Sequence, residues 1–109
     1  MERIDEEKIH NAVAWLKDSA THCAETKATR MYLEAFTKSL KAILMSKKME
    51  LPISAQERDA YASQEYQDHL KALKIAIERD EKNKYRRESA LVLIETWRTQ
   101  EANLRAIKL

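Results

Sequence analysis

No glycine occurs in this chain of 109 residues, and its one proline stands at position 52. Hairpin turns depend on residues that accept positive φ, glycine above all. A chain without glycine has few ways to build a sheet. Strong helix formers such as Ala, Leu, Glu, Lys, Arg and Gln dominate instead. The expected fold class is all-α. It is a long antiparallel helical hairpin with a short helix at the turn, assembling into a helical bundle or coiled-coil oligomer. Residues 1–109 are expected to form a single helical domain.

Three helical stretches are expected. The first covers about residues 5–49, opened by Asp5, Glu6 and Glu7 and closed by Lys47 and Lys48, as the helix dipole favours. Its apolar residues recur at Ile9, Val13, Leu16 and Ala20, then at Leu33, Phe36, Leu40, Ile43 and Leu44. Between them Ala20, Ala24 and Ala28 lie four apart on one face, small enough for another helix to approach closely. Pro52 pushes the preceding residue out of helical geometry. Ser54 and Glu57 then match a capping box, opening a short helix over about 54–62. Ser63 can cap again and mark a kink or short break. A last helix follows over about 64–107, with Tyr66, Leu70, Leu73 and Ile77 at heptad-like spacing. In its polar middle Glu78–Lys82 and Asp80–Lys84 stand at i,i+4, as Glu101–Arg105 does further on. Each such pair is worth about 0.2–0.5 kcal/mol.

Folding at residues 50–62 pairs positions whose numbers sum to roughly 110, because short connections favour antiparallel neighbours. Leu40 then meets Leu70, and Trp15 meets Trp97. Each long helix spans about 60 Å. Two such helices cannot bury both apolar faces alone, so a homo-oligomer, with a dimer favoured, is expected.

Composition excludes several functions. The chain has 20 basic and 18 acidic residues and a net charge of +2, unlike the large positive excess of a DNA-coating protein. Any nucleic-acid site must come from local clustering. One cysteine, Cys23, excludes an internal disulfide. The first twenty residues lack the apolar core of a signal peptide, and no run suits a membrane span. The expectation is a soluble, intracellular protein without membrane association.

Candidate chemistry is sparse. Asp18, His22 and Glu25 fall on one helix face at i, i+4 and i+7, a spacing that can hold a divalent ion. Di-iron bundles need Glu-x-x-His on two helices and the chain does not carry two; His-Glu-x-x-His and paired cysteines are missing. His10, His22 and His69 are scattered. No metal or other cofactor is expected, and the bland reading is a solvated polar face. Cys23 follows His22 directly, and sequence neighbours on a helix point about 100° apart, so they do not form a nucleophile–base pair. No enzyme is expected.

Two stretches carry the candidate binding residues. Lys82, Lys84, Arg86 and Arg87 surround Tyr85, four cations that can meet phosphates and a ring that can stack on a base. The acids Glu78, Asp80, Glu81 and Glu88 flank them, so a salt-bridged solvent face is the competing reading. A second basic cluster, Lys38, Lys41, Lys47 and Lys48, lies near the hairpin tip. The other stretch is Trp97 to Arg105. Trp97, Arg98, Glu101 and Arg105 are candidates for a partner-binding patch, as Trp and Arg are frequent interface anchors; core closure and dimer packing compete with that.

Four groups of residues carry a resemblance. They are Arg30-Met31-Tyr32-Leu33-Glu34; Lys38-Ser39-Leu40-Lys41-Ala42 with Leu44-Met45; Glu57-Arg58-Asp59-Ala60-Tyr61-Ala62-Ser63; and Trp97-Arg98-Thr99-Gln100 with Ala102-Asn103 and Arg105. In this order they resemble small helical phage and prophage proteins, often encoded in recombination and replication modules. The likeness covers most of the chain from Arg30 onward. The chain departs from the pattern at Gln64, where a proline is expected after Ser63, so the break there is softer. The resemblance implies a small accessory factor in the host bacterial cytoplasm and brings no catalytic residues. Two functions follow as expectations. One is a non-enzymatic factor of DNA recombination or replication that binds DNA or a recombination protein. The alternative is a phage-encoded inhibitor of a host protein, such as a nuclease or CRISPR-type effector, acting by protein–protein contact.

Overall fold

A computed structural model describes residues 2–108, and the chain is all-α: α1 (Glu6–Asp18), α2 (Ala20–Ser46), α3 (Ile53–Ala62) and α4 (Gln64–Lys108), with no strand among the described residues. Asp5 caps α1, its carboxylate accepting from the Lys8 N–H at 2.9 Å. The expected helix over 5–49 is interrupted at Ser19. Helical bonding continues on either side, from the Ser19 N–H to Trp15 O and from the Cys23 N–H to Ser19 O. Asp and Ser compete for backbone bonds and weaken a helix interior. The small residues that follow supply no large apolar anchor.

The chain divides into two compact units. The inner unit is Glu25–Asp80, and the terminal unit joins the two ends of the chain, up to Ala24 and from Glu81 onward.

In the inner unit α2 runs antiparallel to the first part of α4, with α3 at the turn. Arg30 pairs with Asp80 at 3.0 Å, and Thr37 meets His69 at 2.8 Å. Its core is Leu40, Leu44 and Ala60, flanked by Phe36, Met45 and Tyr66. Burying one such leucine contributes about 1.5–3 kcal/mol. The capping box expected at Ser54 does not form. α3 starts one residue earlier, after Pro52, with no side-chain cap. Proline's fixed φ suits a helix start, and Glu57 turns to Lys41 instead. Ser63 does cap α4, accepting from the Tyr66 N–H at 3.2 Å. Its extended backbone (ψ 149°) makes the break.

The inward stripe of α4 departs from the expected one at a single position. Tyr66, His69, Leu73 and Ala76 turn inward, whereas Leu70 is 38% exposed. Leu40 therefore does not pair with Leu70. Tyr66, Leu73 and Ile77 are half-buried as expected, and the departure is at Leu70, whose place is taken by the preceding residue, His69. His69 takes the core position because Thr37 satisfies its ring nitrogen and Phe36 packs edge-on at 5.7 Å.

In the terminal unit α1 runs antiparallel to the last part of α4. The Ile4 N–H donates to Gln100 Oε1 at 3.0 Å, and Arg3 pairs with Glu101 at 3.2 Å. Ile9 and Ala90 are its buried apolar residues. Trp15 does not meet Trp97. Arg86 lies over its ring at 4.6 Å, and Trp97 borders Ile9 and Val13. The pairs Ile4–Gln100, Arg3–Glu101 and Trp15–Arg86 sum to less than the value read from the turn, so the two tryptophans pass out of register.

Candidate nucleic-acid interface

The basic stretch sits on α4 in the terminal unit, and all of Lys82, Lys84, Tyr85, Arg86 and Arg87 are exposed. Helical rotation sets them on different faces. Lys82 and Arg86, four apart, share one side with Tyr85 between them in sequence; Lys84 and Arg87 look elsewhere. The five residues are thus brought near one another without forming a single basic face. Arg86 is already held by the Trp15 indole at 4.6 Å, a cation–π contact that keeps the charge and fixes the guanidinium plane.

Two of the expected i,i+4 pairs do not form. Asp80 pairs with Arg30 inside the inner unit rather than with Lys84. Glu101 pairs with Arg3 rather than with Arg105. Among the described residues no ion pair involves Lys82, Lys84 or Arg87. The second basic cluster behaves in the opposite way. Lys41 bonds Glu57 at 3.2 Å and lies over the Tyr61 ring at 4.8 Å. Lys47 pairs with Glu65 and Lys48 with Asp59. Only Lys38 of that cluster has no ion pair among the described residues. Hydrogen bonding to Tyr61 first, then to Glu57, raises the Lys41 ammonium above its ordinary value of 10.5.

Tyr85 stands 62% exposed at the end of a shallow groove of about 530 Å³. Ile4, Glu88, Ser89, Val92, Leu93 and Thr96 complete its lining. The 85-89-92-96 spacing marks this face in the sequence, one turn at a time, and reading only the charges passes over it.

The other candidate patch is assembled by the fold. Trp97, Arg98, Glu101 and Arg105 line one groove of about 420 Å³. The Trp97 indole N–H is buried and meets no acceptor among the described residues, and such an orphaned donor costs about 1–3 kcal/mol. Arg98 reaches Glu95 at 3.6 Å.

The candidate metal set is split between two helices. Asp18 closes α1 while His22 and Glu25 lie on α2. No group of three or more His, Cys, Asp or Glu among the described residues is placed to hold a metal ion. Cys23 instead donates to Ser19 Oγ at 3.8 Å. No described helix is long and apolar enough to cross a membrane. Comparison of the chain with protein-family models, curated proteins and solved structures gives no match.

Proposed function

We propose that this chain is a non-enzymatic accessory factor that binds DNA, acting in phage recombination or replication within the host cytoplasm. Lys82, Lys84 and Arg87 supply the phosphate contacts, and Arg86 adds a fixed charge. The observation that carries this reading is the ion pairing around the stretch. Asp80 is bound to Arg30, and no ion pair among the described residues involves Lys82, Lys84 or Arg87. The phage setting rests on the sequence resemblance alone. Three phosphate contacts imply a log–log salt slope of about −3. Anisotropy of labelled DNA across a salt series tests this. Replacing Lys82, Lys84 and Arg87 together by Ala should remove the salt-dependent binding and leave helicity intact. Unchanged affinity in that variant overturns the assignment.

A second reading is supported by the Trp97 groove. Its four candidate residues face one recess beside an unpaired indole N–H, as an inhibitor of a host nuclease or CRISPR-type effector would require for protein contact. Capture of a stoichiometric protein from host lysate that survives nuclease treatment, and is lost with Trp97→Ala, favours it. A partner lost on nuclease treatment returns the weight to DNA.

Self-association belongs to either reading. We infer a homodimer from the surface left exposed. In the inner unit Met31, Tyr32, Ile43 and Ile75 are 47–65% exposed, apolar side chains that a second copy would cover.

A further inference from the structure

Beside the cations lies a surface that phosphate binding does not use. The groove of about 530 Å³ runs from Tyr85 past Ser89 and Val92 to Thr96, with Ile4 and Leu93 on its sides. Val92 is 65% exposed and Tyr85 62%. An apolar valine and an open aromatic ring on a helix this rich in charge need a reason. Duplex DNA offers none, because its base faces are stacked away and only phosphates and groove edges are presented. A single strand presents flat, unstacked bases.

We propose that the Tyr85 groove takes an unstacked base of single-stranded nucleic acid, making the chain selective for single strands over duplex. This rests on the phosphate-binding reading above and deepens it. Charge complementarity sets the orientation. Lys82, three residues before Tyr85, and Arg86, the next residue, flank the ring on one side. The Trp15 indole holds Arg86 flat at 4.6 Å while leaving its edge donors for a phosphate. On the other wall Glu88 lines the groove. Its carboxylate repels phosphate and accepts an N–H from a base edge. The backbone is thereby directed to the Lys82–Arg86 side and the base into the groove.

Three probes of equal length test the inference: oligo(dT), an abasic strand with the same phosphates, and duplex DNA. Stacking on one ring should tighten oligo(dT) over the abasic strand by about 5- to 100-fold. Tyr85→Ala should bring that ratio close to one without moving abasic binding, and Tyr85→Phe should keep it. Val92→Asp, which places a charge in the groove, should also abolish it. Equal binding of all three probes by the wild type, still steeply salt-dependent, overturns the base site and leaves phosphate binding standing. Absence of binding to every probe at low salt overturns both. Both substituted residues are exposed, so a change in helicity is not expected and circular dichroism checks it.

Discussion

Lys41 shows how a single residue reports on its surroundings. Its ammonium reaches from α2 to Glu57 and Tyr61 of α3, and both raise its pKa above the ordinary 10.5, Tyr61 more than Glu57. A raised lysine contributes stability that is fully present below its unfolded pKa. That contribution is lost as pH rises through the higher folded value. The difference in stability between wild type and Lys41→Met should therefore be flat from neutral pH to about 10 and shrink above it. Denaturant titrations at several pH values measure it. A difference that shrinks between pH 6 and 9 instead would assign the effect to another group. His69 is the residue the sequence concealed. A lone histidine between Asp68 and Leu70 reads as solvated. Only the Thr37 hydroxyl at 2.8 Å, on a helix distant in sequence, makes its burial tolerable. Such a partner leaves no local signal. The basic residues 82–87 were legible as a cluster, yet their freedom from acid partners was not. It depends in part on Asp80 finding its arginine, Arg30, far along the chain.

At the scale of elements, periodicity gave the helices and most of their inward positions. In α4 the stripe from Tyr66 to Leu73 can pass through His69 or Leu70, and hydropathy favours the leucine. Burial follows the histidine. α2 offers the direct test, for Ile43 and Leu44 are adjacent but 47% and 8% exposed. Leu44→Ala should cost about 2–4 kcal/mol, as deleting a buried leucine does. Ile43→Ala should cost less than about 1 kcal/mol. Equal losses in urea unfolding would mean that α2 is rotated from the orientation described. The caps divide in the same manner. Ser63 was legible because a serine before a charged helix start has one dominant use, and Ser63→Ala should cost about 1 kcal/mol. Ser54 was misleading because Pro52 can open α3 without a side-chain cap, so Ser54→Ala should change stability by less than about 0.5 kcal/mol. Thermal unfolding of the two variants side by side separates a serine that caps from one that only resembles a cap.

At the scale of the whole molecule, the core is too thin for the surface it carries. No large side chain among the described residues is more than 98% buried, and the inner unit centres on Leu40, Leu44 and Ala60. A standard interface hides about 800 Å² per partner. Exposed apolar residues are available for it in the inner unit: Met31, Tyr32, Ile43 and Ile75 are 47–65% exposed. Tyr32 already stacks on Phe36 at 5.9 Å, which pre-orders the ring and lowers the entropy cost of an interface. Sedimentation equilibrium should return about twice 12.8 kDa, and the unfolding temperature should rise with protein concentration, as mass action requires of a dimer that unfolds to monomers. Met31→Glu with Tyr32→Glu should shift the mass toward the monomer while sparing helicity, since both side chains are more than half exposed. A monomer from about 1 µM to about 1 mM, with an unfolding temperature independent of concentration, removes self-association. The exposed apolar residues of the inner unit would then be free to meet a different protein, and the Trp97 groove of the terminal unit becomes the next place to look.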